Sequence, residues 1–380
     1  MRNVVLEFMQ DSLDPRQFGS LKGTSTVMAL VEMYHNWVTA LDTPGKIVRI
    51  LLLDFRKAFD LVDHTILLNK LVMTGAPDFL VNWIASFLCE RKQRVKIGND
   101  KSQWAVLNAG VPQGTLLGPV CFLLHINDLQ LPCDTFKCVD DSTAYEIICD
   151  KSLSESKIQS AADEAIKWSN ENNMKLNCDK TKEIVVDFRR KKQNIPEIVM
   201  GDVAIERVNS SKLLGVIISD NLKWDEHVSY ICQKGSKRLY FIRVLKRSGV
   251  SPDDLVKIFC VTIRSVLEYA CEVWHPGLTR GQSSKLESIQ KRAMRMIFPS
   301  VQYLEALDAV HLPTLAARRE EACRTFFLNM TKPDHKLHHL LPTSWTSSHH
   351  FRTTSTYPFP KLRTCRSRQS VINYGRFNFQ

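Results

Sequence analysis

The chain has 380 residues, 44% hydrophobic and 24% charged, with 51 Lys and Arg against 40 Asp and Glu and a formal charge of +11. This is the make-up of a globular protein with more than one compact unit, because single cores rarely grow past ~250–300 residues. The surplus of cations points to a polyanionic partner, nucleic acid first, with a basic surface kept for solubility as the plainer alternative. Eleven cysteines are scattered singly from Cys89 to Cys365 with no CxxC pair, which argues against a zinc site and a disulfide framework. They read as free thiols in a reducing compartment. The densest apolar run, Ile50 to Leu53, is of strand length, so an intracellular protein, nuclear or cytoplasmic and not secreted, is expected, with no membrane segment.

In chain order, residues 1–45 read as mostly helical, broken at Asp14-Pro15 and looped between Gly19 and Gly23. Residues 47–54 form a continuous apolar strand, too apolar on both faces for an edge. Asp63 caps a helix that Gly75 ends, and 77–88 forms another. Strands are expected at 94–97 and 104–107. Gly110 to Gly114 is a loop, after which Pro119 opens a helix to about Asp128. Strands at 137–139 and 143–148 meet at Asp140-Asp141. An amphipathic helix covers about 152–173, with Ile158, Ala162, Ala165, Ile166 and Trp168 on or near one side. A strand follows at 183–188, then a basic break from Arg189 to Lys192. Beyond 193 come a hairpin at Gly201-Asp202, a strand through 213–219, and helices near 224–247, 252–269 and 281–298. After 332 the chain is rich in Ser, Thr, His, Pro and Arg and is expected to be partly irregular or loosely docked.

Two acidic points carry the chemical argument. Asp54 follows the apolar run 49–53, and Asp140 and Asp141 follow a strand at a tight turn. A carboxylate at a buried strand end costs free energy unless it is paired or holds a cation. Three such carboxylates on neighbouring strands would make a hard-oxygen site suited to Mg²⁺ and to phosphoryl transfer. Singly, Asp-Asp is also a good turn dipeptide and Asp54 a strand terminator. Their order and the segments between them set them apart.

Those segments resemble a known family. Leu53-Asp-Phe-Arg-Lys-Ala-Phe-Asp60 with His64 is similar to the first palm motif of non-LTR (LINE-type, jockey-like) retrotransposon reverse transcriptases. Gly110-Val-Pro-Gln-Gly-Thr-Leu-Leu-Gly-Pro119 with Ile126-Asn-Asp128 resembles their second, Cys138-Val-Asp-Asp141 the third, and Leu176-Asn-Cys-Asp-Lys-Thr-Lys182 the fourth. Gln17-Phe-Gly-Ser-Leu-Lys-Gly-Thr-Ser-Thr26 looks like their fingers motif, and Lys212-Leu-Leu-Gly-Val-Ile-Ile-Ser-Asp220 with Trp224 and His227 like the lead into the thumb. The resemblance spans roughly residues 10–300.

It implies an α+β right-hand polymerase: partial fingers over 1–45, and a palm over 46–192 with a mixed or antiparallel sheet, in which 75–112 is a fingers/palm segment. A palm–thumb connection and helical thumb over 193–300 follow, then a C-terminal extension over 301–380. The implied activity is RNA-directed DNA synthesis, with RNA template, DNA primer and dNTP as partners and two Mg²⁺ ions as cofactor. Asp54, Asp140 and Asp141 would be metal ligands and, with Lys180 as proton donor to pyrophosphate, the catalytic set. Phe55, Phe59, Gln113 and Gly114 would face nucleotide and template, Phe59 as an aromatic gate against a 2′-hydroxyl. Lys234, Lys237 and Arg238 would track the primer–template backbone in a stretch that also holds Arg243, Lys246, Arg247, Tyr240 and Phe241. Without the family, Phe59 reads equally as a core aromatic, Lys180 as a surface lysine and the basic stretch as a solvated helix face. His64 and His125 read as structural. Cys138 departs from the family's usual Tyr or Phe. The chain opens just before the fingers motif, so an N-terminally truncated element is expected, with a catalytically impaired nucleic-acid-binding remnant as the alternative function and a protein-binding scaffold as a third.

Overall fold

Two helices start the chain where its sequence allows them, α1 (Arg2–Met9) and α2 (Thr26–Ala40), separated by the Asp14-Pro15 break and by Gly23 at φ 76°. The computed structural model describes residues 2–9, 12–149, 155–192, 194–343 and 356–380. They divide into two units: Met1–Ala29 with Lys46–Asn209, and Leu30–Gly45 with Ser210–Gln380.

In the first unit, β1 (Lys46–Leu53) is buried along almost its whole length, as expected of a strand covered on both faces. Helices α3 (His64–Met73) and α4 (Asp78–Leu88) follow. The Asp63 carboxylate caps α3 by accepting from the Thr65 and Ile66 amides, and Gly75 at φ 78° ends it. The next strands are fragments: β2 (Lys92–Gln93) pairs with β5 (Ala105–Val106), and β3 (Lys96–Ile97) with β4 (Asp100–Lys101). Helix α5 (Gly118–Ile126) carries Pro in its first turn. It leads to β6 (Asp134–Cys138), β7 (Asp141–Cys149), α6 (Ile158–Glu171), β8 (Lys182–Asp187), β9 (Val199–Met200), β10 (Val203–Ala204) and β11 (Glu206–Arg207). The helix expected from 152 includes positions outside the described residues.

The main sheet has the order β11-β8-β1-β7-β6, antiparallel throughout except for the parallel β11–β8 pair. It is therefore the mixed sheet of an α+β unit. Its central strand is β1, flanked by strands that lie far downstream. Helix α6 covers one face, with Ile158, Ala162 and Ala165 packed against Leu51, Leu53 and Ala144. A second core joins α1, α3, α4 and α5 around Leu67, Leu80, Phe122 and Ile126.

One feature of β1 runs against its apolar sequence. Arg49 is buried mid-strand, 2.7 Å from Glu183 on β8 and donating to the Pro196 carbonyl at 2.8 Å. Arg207 of β11 reaches the other Glu183 oxygen at 2.8 Å. Arg49 also lies 3.9 Å from the buried Glu146 of β7, so two guanidinium groups serve two buried carboxylates and tie four strands together.

In the second unit, residues 213–219 are not one strand. They are the turn and second arm of a hairpin, β12 (Ser210–Leu213) and β13 (Val216–Ser219). Leu214 (φ 45°) and Gly215 (φ 91°) turn left-handed, the conformation that two-residue hairpins favour. A Cβ at Gly215 would lie 2.7 Å from the Tyr269 ring, whose hydroxyl donates to the Leu214 carbonyl at 2.9 Å.

The long α7 (Asp225–Arg247) precedes α8 (Pro252–Phe259), a π turn at Cys260–Arg264, α9 (Ser265–Glu268), α10 (Cys271–Trp274) and α11 (Arg280–Ile297). At Gly235 of α7 the side chains of Leu267 and Ile289 press to within 3.1 and 3.4 Å of where a Cβ would stand, so the missing side chain lets α7 and α11 pack closely. Helices α12 (Tyr303–Ala309), α13 (Leu315–Met330) and α14 (Val371–Asn378) complete the unit.

Among the described residues the tail carries one α-helix, α14, between irregular stretches, and side-chain hydrogen bonds dock it. The Asp42 carboxylate accepts from the Arg363 and Thr364 amides and the Ser367 hydroxyl, while Tyr374 donates to Glu320 at 2.8 Å. Residues 344–355 of the tail lie outside the described residues. Among the described residues no helix is long and apolar enough to cross a membrane.

Candidate active site

Asp54, Asp140, Asp141 and Lys180 lie where β1 ends and where β7 and β8 begin. The last pair between β1 and β7 is Leu53 with Ser142, so one further step sets Asp54 level with Asp141 on the adjacent strand. Cys138 pairs with Asp141 across the β6–β7 turn, leaving Val139 and Asp140 as its two loop residues. Val139 is left-handed at φ 65°, which costs a β-branched residue on the order of 1–2 kcal/mol.

The segment Asp14 to Gly19 holds that turn in place. Gln17 bridges Lys137 in parallel, the Phe18 amide donates to the Lys137 carbonyl at 2.8 Å, and the Lys137 amide donates to the Arg16 carbonyl at 3.0 Å. The buried Gln17 oxygen accepts from the Gly19 amide at 2.8 Å and from the Val139 amide at 3.4 Å. Gly19 lies so close that a Cβ there would stand 2.5 Å from Val139 N and Cγ2. Lys137, itself buried, is neutralised by Asp14 at 2.8 Å. The role of Gln17 was not readable in sequence: a glutamine next to Phe-Gly carries no sign of where its amide points.

On the other flank, the Asp54 amide donates to Thr181 Oγ1 at 3.3 Å and its carbonyl accepts from the Asn177 amide at 2.8 Å. Asn177 Nδ2 also donates to Asp54 Oδ2 at 3.0 Å, fixing the half-buried carboxylate. Asn177 is a positioning residue that sequence reading passed over, although it lies inside the fourth motif. Lys180 is in the turn that follows, its amide donating to the Asn177 carbonyl at 3.1 Å and its side chain exposed.

The loop from Gly110 to Gly114 rests on residues 59–64. The Val111 amide donates to the Phe59 carbonyl at 2.8 Å, His64 Nε2 meets the Gly110 carbonyl at 2.8 Å, and Gln113 donates to Asp60 Oδ1 at 3.2 Å. Gly110, at φ 82°, would bring a Cβ within 2.8 Å of the Asp60 carbonyl oxygen, so only glycine allows this approach. Gly114 is exposed with open space around it. Phe59 is half-buried and stacks on Phe122 with ring centres 4.9 Å apart. Phe55, grouped with the nucleotide-facing residues in sequence, is instead turned into the core, 7% exposed and edge-on to Trp168. Its place beside Asp54 gives it the inward half of the strand's alternation.

Among the described residues, no three His, Cys, Asp or Glu side chains form a ready-made metal cage. Mg²⁺ does not need one, because it keeps several waters and binds through one or two carboxylates completed by substrate phosphates. The level pair Asp54 and Asp141, with half-buried Asp140 beside it, supplies hard oxygens of that kind. Burial, with the charge of Asp141 added, pushes the Cys138 thiol up to about 12.

In the second unit, α7 carries the three basic residues singled out in sequence. Lys237 faces solvent. Lys234 lies 4.9 Å from the centre of the Tyr230 ring and donates to its hydroxyl at 3.2 Å. Arg238 is half-buried and donates to the Thr262 carbonyl of the π turn. Tyr240 and Phe241 are exposed neighbours.

Among curated proteins the chain is similar to the probable RNA-directed DNA polymerase from transposon X-element of Drosophila melanogaster, at 28% identity over 295 residues, 74% of this chain and 31% of that protein. It is also similar to the RNA-directed DNA polymerase from mobile element jockey of the same fly, at 24% identity over 270 residues, 67% and 29% of the two. The chain spans about a third of the length of these relatives. Among solved structures, telomerase from Candida tropicalis in complex with a telomeric RNA fragment aligns at TM-score 0.46 and 10% identity, over 88% of this chain and 50% of that one. Telomerase from Candida albicans, also with telomeric RNA, aligns at TM-score 0.40 and 13% identity, over 82% and 56%. The family model described as reverse transcriptase (RNA-dependent DNA polymerase) matches residues 2–218, a span that takes in the Gln17 clamp, both carboxylate points and the Asn177 turn. With more than half its length inside that model, the chain belongs to the reverse transcriptase family.

Proposed function

We propose that the chain is the RNA-directed DNA polymerase portion of a non-LTR retrotransposon, extending a DNA primer with dNTPs on an RNA template. The observation that carries this reading is the strand register that sets Asp54 level with Asp141. In it, residues 46–192 serve as palm, 1–45 as partial fingers, 193–300 as connection and thumb, and 301–380 as an extension, in a nuclear or cytoplasmic protein.

Asp54, Asp140 and Asp141 would hold two Mg²⁺ ions, which when bound activate the primer 3′-hydroxyl and steady the leaving pyrophosphate. Asn177 keeps the Asp54 carboxylate oriented, and Gln17 keeps the Asp140 turn closed. Lys180 hands a proton to the departing pyrophosphate. The Phe59 ring, braced by Phe122, takes up the space of a 2′-hydroxyl. Gln113, held by Asp60, lies against the new pair, and Gly114 lets backbone approach the template. Lys237 of α7 meets backbone phosphate, with Lys234 and Arg238 adding to the local positive charge.

The test is Mg²⁺-dependent primer extension on an RNA template, by the parent chain and by Asp140→Ala. Extension by the parent that Asp140→Ala abolishes supports the reading. A second reading, a remnant that binds nucleic acid without polymerising, rests on the formal charge of +11, which calls for a polyanion but for no metal. Salt-sensitive template–primer binding with no extension by the parent would decide for it.

A further inference from the structure

The hairpin arm from Lys92 to Val106 plays no part in the site above, and every residue in it is exposed. Its cross-strand pairs are Lys92 with Val106, Gln93 with Ala105, Lys96 with Lys101 and Ile97 with Asp100. Paired residues share a face, and faces alternate along a strand. Carried across residues 94–95, which join two short ladders of different register, alternation puts Lys92, Arg94 and Lys96 on one face, with Val106 and Lys101 opposite them. The Arg94 guanidinium stands 4.5 Å from the centre of the Trp104 ring, which puts that indole, 58% exposed, on the same face. Asp100, the arm's one acid, lies on the other face with Val95 and Ile97.

This segregation is unfavourable in isolation. Lys96 directly opposite Lys101 is a like-charge pair that destabilises a ladder, and an isolated two-stranded hairpin is marginal to begin with. A polyanion lying on that face would turn the repulsion into attraction. The indole adds a flat surface for an unstacked base, which duplex nucleic acid keeps inside its stack. We propose that this face of the arm binds single-stranded nucleic acid, with phosphates on Lys92, Arg94, Lys96 and Lys101 and a base stacked on Trp104. The assignment goes beyond the polymerase reading, since it needs a strand but neither metal nor chemistry.

The test is fluorescence anisotropy of the full chain with labelled oligodeoxythymidylate and with a duplex of equal length, over a range of salt. Trp104→Ala should weaken single-strand binding roughly 5- to 150-fold, while Trp104→Phe, which keeps a π-face, retains most of it. Replacing Lys92, Lys96 and Lys101 with Gln should make the log–log salt dependence shallower by about 2. Because all four side chains are exposed, thermal unfolding should not be lowered, and the lysine variant should if anything gain slightly from relief of the Lys96–Lys101 repulsion. Unaltered single-strand binding by Trp104→Ala overturns the proposal, as does equal loss on single strand and duplex. So does a lysine variant that binds normally but self-associates, for then the lysines only guard an open edge. An Asp140→Ala chain that stops extending yet keeps this binding shows the two readings to be separable; loss of single-strand binding in the arm variants alone bears only on the arm.

Discussion

Gly19→Ala is the sharpest probe of how the acidic turn is held. Gly19 does not have a left-handed backbone, so alanine meets no conformational penalty and the substitution tests space alone. Its new Cβ would stand 2.5 Å from the amide nitrogen and Cγ2 of Val139 and 2.9 Å from the Cys138 carbonyl carbon. Ordinary contact needs about 3.4 Å or more, so two backbone segments must separate by close to an ångström. Overpacking of this kind costs ~1–3 kcal/mol. The displaced segment is the turn that carries Asp140, and a 1 Å misplacement can cost on the order of 10²-fold in rate. Urea unfolding should therefore show a lower midpoint, and primer extension should fall far more than template–primer binding. A variant that unfolds at the parent midpoint and extends at the parent rate would refute the clamp.

Arg49→Met removes one of two cations from a fully buried Glu183 and should lower unfolding stability by ~3–5 kcal/mol, with Arg49→Met/Glu183→Leu recovering much of the loss in the same denaturation assay. His125 is held neutral by burial, helped by the charge of Lys70, with its pKa lowered from 6.5 to about 4. Since its folded pKa lies below the unfolded one, this contribution is complete above pH 6.5 and is lost as pH falls toward 4, by on the order of 3 kcal/mol. Stability measured against pH should fall through that window, and His125→Leu should flatten the fall; an unchanged slope would exclude His125 as its source. Phe59→Val should weaken discrimination against ribonucleotides in extension assays, by roughly 10- to 200-fold for a lost packing contact, while Phe122→Leu should do so more mildly by unbracing the ring. Equal discrimination by parent and Phe59→Val would mean that the ring serves only the core.

What could be read beforehand was whatever a residue and its near neighbours decide. The apolar run before Asp54 had to be an inner strand, Asp63 had to cap, and Asp140-Asp141 between two apolar stretches had to turn. Features that depend on distant partners stayed hidden. Arg49 in an apolar strand gave no hint of Glu183, and Gln17 gave none of Val139. The run 213–219 read as one strand because its hydrophobicity outweighed a single glycine; the structure spends that glycine on a hairpin turn that the Tyr269 ring covers. Helix α14 was masked by a polar, proline-containing tail, and its docking rests on Asp42, more than three hundred residues earlier. Phe55 was misplaced because proximity to Asp54 in sequence says nothing about which way a side chain alternates.

The central position of β1 also has a consequence for synthesis on the ribosome. Of the sheet's strands this one leaves the exit tunnel first, yet both of its neighbours come much later, and Asp54 meets Asn177, 123 positions downstream. Until β7 has emerged, β1 is a sticky apolar ribbon with two open edges and a lone arginine, and one edge stays open until β8 follows. A transcript broken before that point would yield a polypeptide whose inner strand lacks a partner on one edge, a natural client for chaperones and proteases.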